Sequence, residues 1–144
     1  MGRPSFRVLY RQLLSDTELS RGKLGREKCV GASYKKLEVW RRSHGLSIEV
    51  YRLLADCRDW GFKDQITRSA NSISDNIAEG AERTSKAEFK QFLGYAKGSA
   101  GETRSQMLRA IALSYVASDT GLVLVAELRE ISRMIHGLIK SLDR

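Results

Sequence analysis

Proline, cysteine and long apolar runs are scarce in this 144-residue chain, and each scarcity excludes something. The only proline is Pro4, so no proline breaks a helix anywhere after the first few residues. Cys29 and Cys57 are the only cysteines and form no spaced motif, which excludes a disulfide framework and a zinc site and suits a reducing cytoplasm. No segment approaches the roughly 20 apolar residues of a bilayer span, and no leader-like apolar stretch follows the N-terminus. There is no P-loop, dinucleotide-binding glycine fingerprint, nucleophile elbow or zincin motif. Neither histidine, His44 or His136, has Glu three positions before it, so the carboxylate–histidine pairs of di-iron bundles are missing too. We therefore expect no catalytic residues, no metal and no cofactor.

What is present is charge and helical periodicity. Lys and Arg number 25 against 17 Asp and Glu, a net +8, and the hydrophobic content is 42%. That content is enough for a globular core, and the excess charge favours anionic partners. Half of the net charge lies in residues 1–33, which also hold Pro4, Gly2, Gly22, Gly25 and Gly31. Phe6, Leu9, Tyr10, Leu13 and Leu14 have helical spacing there, followed by a linker-like run from Arg21 to Arg26. Residues 1–33 are read as a basic, partly flexible N-terminal extension and 34–144 as the folded domain.

Helices are expected at about 35–58, 62–80, 85–115 and 119–142. Their expected core stripes are Leu37, Trp40, His44, Ile48, Tyr51 and Ala55; then Ile66, Ala70, Ile73 and Ile77; then Phe89, Phe92, Ala96, Ala100, Met107 and Ile111; then Leu128, Ile131, Ile135, Leu138 and Leu142. Three- and four-residue steps joined by short connections give an all-α, antiparallel up-down-up-down four-helix bundle. Gly80 is expected to end helix 2 in a left-handed cap, and Ser85 with Glu88 to open helix 3 as a capping box.

Three surfaces are candidates for function. Helix 1 carries a second apolar line, Val39, Leu46, Val50, Leu53 and Cys57, roughly opposite the first. A bundle helix buries one stripe, so the second should meet another subunit or the amphipathic piece of the extension; we expect oligomerisation. Gly94, Gly98 and Gly101 on helix 3 form a flat strip that admits another backbone closely, from a second subunit or from within the chain. Lys86, Lys90, Lys97 and Arg104, with Arg83 just before them, keep to one line of helix 3 over about 27 Å. Such a line tracks phosphates without reading sequence, the alternative being an ordinary solvated face with Glu88 and Glu102 nearby. No aromatic alternates with these cations to stack bases. Ser69, Ser72, Asn76 and Glu79 form a polar shoulder beside the core line of helix 2, Ser99 and Thr103 lie near that of helix 3, and interhelical hydrogen bonding is their expected role.

Arg68, Ala70, Ser72, Ile73, Asn76, Ile77, Ala78, Glu79 and Gly80 form one motif, and Ser85, Glu88, Phe89, Phe92, Leu93, Ala96, Lys97, Gly98, Ser99 and Glu102 a second. With Tyr34, Leu37, Val39 and Trp40 upstream and Ile139, Ser141 and Leu142 downstream, the chain resembles the bacterial 23S rRNA intervening-sequence proteins over about 34–142. It departs from them at Ser74, where members often carry proline, and in residues 1–33, which have no counterpart. The resemblance implies a closed up-down bundle assembling as a ring, typically a homopentamer, with no established enzymatic activity. Family genes sit in some bacteria within intervening sequences of ribosomal RNA genes, and distant relatives are accessory subunits of diversity-generating reverse transcriptases. The expected protein is a cytoplasmic, non-enzymatic homo-oligomer whose basic surface contacts RNA. The alternative is a scaffold or accessory subunit docking a protein partner.

Overall fold

The computed structural model describes residues 33–144, so the expected extension lies outside the described residues, Ser33 excepted. A single 3-10 turn, Tyr34–Lys36, leads into α1 (Glu38–Leu53), followed by α2 (Trp60–Ala81), α3 (Lys86–Ala112) and α4 (Ser118–Leu142). Each helix packs on its neighbour in sequence and α1 closes onto α4, while the diagonal pairs stay apart. This is the expected four-helix bundle.

Local chemistry sets the boundaries. Asp59 opens α2 by accepting a 3.0 Å hydrogen bond from the Phe62 amide, which starts the helix two residues earlier than expected and ends α1 well before 58. Ser85 opens α3 as expected: its Oγ accepts from the Glu88 amide at 3.2 Å and donates to the Glu88 carboxylate at 3.0 Å. The α3–α4 turn is a Schellman motif, with Tyr115 N–H on the Ala110 carbonyl and Ser114 N–H on that of Ile111. Ser114 occupies the left-handed position at φ 60°, where glycine is usual.

Gly80 plays a different part from the expected cap. The helix runs on to Ala81 and Gly80 is buried; a Cβ there would stand 2.7 Å from Phe92 Cβ and 2.9 Å from the Phe89 ring. Its missing side chain lets α2 and α3 approach closely at the end where they join.

The core follows the expected stripes on α2, where Ile66, Ala70, Ile73 and Ile77 are fully buried. On α3 Ala96, Ala100 and Met107 are buried but Phe89, Phe92 and Ile111 only half-buried, and on α4 Leu128, Ile131 and Ile135 are buried with Leu138 and Leu142 half-buried. Leu93, Leu124 and Val125 join it. On α1 the expectation is reversed. Val39, Leu46 and Val50 are buried in the core of the single chain, and Leu53 is half-buried against it. They therefore provide no free surface for another subunit. The line expected to be core is the outer one: His44 is only half-buried, stacked on Trp40 at 4.7 Å, and Tyr51 is 47% exposed.

The reason is the uncharged arc from Leu46 through Val39, Val50, Ser43 and Leu54 to Ser47, about 100° wide. Ser43 and Ser47 enter it at little cost because each hydroxyl bonds a carbonyl of its own helix, Val39 at 2.6 Å and His44 at 2.8 Å. The opposite line, by contrast, is bordered by Arg41 and Arg52 beyond Ile48. Val50→Glu should accordingly unfold the chain rather than dissociate an assembly, because it puts a carboxylate into a fully buried site. Circular dichroism will show loss of the cooperative melt; a folded variant with an unchanged melt would contradict this placement.

Candidate nucleic-acid interface

Every side of α3 faces something different. One flank holds Ser99, Thr103 and Gln106 against α2. Ser69 Oγ donates to Gln106 Oε1 at 2.6 Å, Thr103 Oγ1 lies 2.9 Å from Ser69 Oγ, and the Ser72 and Ser99 hydroxyls stand 3.0 Å apart. Asn76 donates from the same helix to the Ser72 hydroxyl and carbonyl. The expected interhelical bonding is thus present at Ser69 and Ser72, with Gln106 added, whereas Asn76 bonds only within its own helix and Glu79 turns to Arg83. Above this ladder runs a shallow groove of about 390 Å³ lined by Gln65, Arg68, Ser69, Ser72, Ser99 and Glu102.

The opposite flank of α3 carries the basic line and faces α4. Lys90 pairs there with Asp143, near the C-terminal end of α4. At the other end Gly121 comes so close to Ile111 that a Cβ would meet it at 2.5 Å. With these two contacts fixed, antiparallel helices bring Arg104 level with Arg129 and Lys97 level with His136. Glu127 and Met134 mark the α4 flank that meets α1 through Arg42. Arg129, His136 and Lys140 lie on the other flank, beside α3, with Arg133 a little further out. All four are exposed.

The basic line is therefore one side of a double row. Lys86, Lys97 and Arg104 from α3 and Arg129 and Lys140 from α4 form no salt bridge among the described residues, while Arg133 meets Glu130 at 3.4 Å. Two expected members are compensated: Lys90 by Asp143, and Arg83 by Glu79 at 2.6 Å. Arg83 also lies over the Phe92 ring at 4.9 Å, away from the row. The α4 row escaped the sequence reading because its cations are mixed with Glu130 and apolar residues; only the pairing of α3 with α4 aligns them.

Between these flanks the outward side of α3 is a seam of small residues. Gly94 and Gly98 are exposed, and a Cβ on either, or on Gly101, would find no atom within 4 Å. No neighbour within the described chain uses the strip. Ala87, Ser105 and Ala112 extend it at three-, four- and seven-residue steps, all exposed.

At the far end of the bundle Tyr115 donates to Asp59 at 2.8 Å, tying the α1–α2 loop to the α3–α4 turn. The Phe62 amide and this hydroxyl hold the Asp59 carboxyl below its ordinary value, and the carboxylate pushes the Tyr115 hydroxyl up. Both shifts favour the existing bond. Among the described residues no three of His, Cys, Asp and Glu converge as metal ligands, and no helix is long and apolar enough to cross a membrane.

The model of the 23S rRNA-intervening sequence protein family matches residues 35–137, which include all four helices almost to their end. The chain belongs to that family. A solved member of the S23 ribosomal protein family from Bacteroides thetaiotaomicron, described as of unknown function, superposes with a TM-score of 0.67 at 25% identity. The match covers 71% of this chain and 98% of that one. No curated protein matches the sequence. The matched residues thus span the bundle and contain the seam and, Lys140 excepted, the cations of the double row.

Proposed function

We propose that this intervening-sequence family member is a non-enzymatic, homo-oligomeric protein of the cytoplasm that holds structured RNA by its phosphates, along the face shared by α3 and α4. The observation that carries the reading is the double row: five exposed or half-exposed cations on two adjacent helices, none with a carboxylate partner among the described residues. Cations so arranged contact a phosphate backbone at several points and carry no base preference. Structured RNA suits them, because double-stranded RNA is recognised mainly by shape, phosphates and 2′-hydroxyls.

Binding to a base-paired ribosomal RNA fragment should weaken linearly on a log–log plot of affinity against salt. Replacing Lys97, Arg104, Arg129 and Lys140 together by Gln should lower that slope by about 3 or more, close to one for each lost phosphate contact. Fluorescence anisotropy across a salt series measures it; an unchanged slope and affinity would exclude this face.

The small-residue seam supports assembly and also suits the second reading, a scaffold docking a partner helix. Small residues at heptad-like steps permit close helix approach, and here nothing within the described chain takes the space. Gly98→Leu should leave the melt of the chain unimpaired, since its Cβ finds open space, while dissociating the oligomer. Light scattering beside a thermal melt will show a smaller particle of undiminished stability; an unaltered mass would remove the seam from the subunit contact.

A further inference from the structure

A group that can change its charge sits in the middle of the double row. His136 is exposed on the flank of α4 beside α3, seven residues after Arg129 and four before Lys140. It stands level with Lys97, with Lys90 and Arg104 each about 10 Å away along α3. Its ring has no hydrogen bond or ion pair among the described residues, whereas His44 is half-buried and stacked on Trp40. The charged groups facing His136 are nearly all cations: Lys90, Lys97 and Arg104 from α3, and Arg129, Arg133, Lys140 and Asp143 from its own helix. Asp143 is taken by Lys90 and lies about 10 Å further along α4. Glu127 and Glu130 are on other sides of α4, engaged by Arg42 and Arg133. Helix α1 meets the far flank of α4 and α2 stays diagonal to it, so neither brings a charge to this site.

We propose that His136 is a conditional cation of this face, taking up a proton when RNA docks, so that binding strengthens as the medium turns acidic. The inference rests on the phosphate reading above and adds its regulation. An imidazole changes charge close to neutral pH, unlike the Lys and Arg side chains around it. Neutral, His136 interrupts the α4 side of the row between Arg129 and Lys140; charged, it completes that side opposite Lys97. No carboxylate at this level supplies the negative charge that would hold the ring protonated, and a docked phosphate backbone does. The bound state therefore carries more protons than the free one. By linkage, affinity rises as pH falls through the range in which the ring titrates and levels off once it is charged in both states. Phosphodiesters stay ionised throughout that range, so the RNA backbone contributes no change of its own.

Fluorescence anisotropy of a fully paired RNA duplex with the full-length protein, at about pH 8 and about pH 5.5 and over a salt series at each, tests the proposal. The wild type should bind about tenfold more tightly at the acidic end. Its slope of log affinity against log salt should steepen there by about one, the signature of one added phosphate contact. His136→Gln should show the weaker affinity and shallower slope at both pH values, and His136→Lys the tighter affinity and steeper slope at both. The position is exposed, so both variants should melt like the wild type, and His44, present in all three proteins, cancels from the comparison. A wild type whose affinity and slope ignore pH, or a His136→Gln variant that keeps the response, would overturn the proposal and leave the phosphate face standing. Absence of binding by the wild type at every pH and salt would remove the phosphate reading and this regulation with it.

Discussion

The ladder of hydroxyls and amides between α2 and α3 is the constraint on which the rest of this bundle depends. Ser69, Thr103 and Gln106 are nearly or wholly buried, so each must find its partner within the protein. They do so only in one register, in which Ser72 also meets Ser99 and the bare Gly80 meets Phe92. Sliding α3 by one turn would separate these pairs, at about 1–3 kcal/mol for each buried polar group left without a partner. Apolar residues alone would tolerate such a slip better, since one isoleucine replaces another at small cost.

With that flank of α3 committed to α2, its other sides are assigned in turn. Leu93, Ala96, Ala100 and Met107 enter the core, and the basic line falls beside α4. Close approach of Ile111 to Gly121 fixes the level of α4, which places Arg129 across from Arg104 and His136 across from Lys97. The glycine seam is left facing outward. Both functional candidates on α3, phosphate-binding row and close-contact seam, are therefore consequences of one buried polar interface some distance away.

Much of this could be read from the sequence, and the failures have physical causes. The helices of α2 and α4 were legible because Ile66, Ala70, Ile73 and Ile77, or Leu128, Ile131 and Ile135, give each a single apolar side. Helix α1 misled because it has two. Counting apolar residues favoured the aromatic line through Trp40 and Tyr51, whereas burial followed the wider uncharged arc that includes Ser43 and Ser47. Serine scores as polar in a periodicity count, yet its hydroxyl is satisfied by its own helix. Gly80 was misread for a related reason: a glycine near a helix end signals a cap, and only the tertiary contact with Phe92 shows it to be a point of close packing. Half of the basic face was invisible because alignment of α4 with α3 is a property of the fold.

The central claim is that the buried polar ladder sets the register of α3. A double-mutant cycle of Ser69→Ala and Gln106→Leu, measured by chemical denaturation, tests it most directly. The account predicts a coupling of about 1 kcal/mol or more, because removing either partner strands the other, whereas removing both relieves it. Strictly additive losses would contradict it, and would mean that α2 and α3 find their register without this interface.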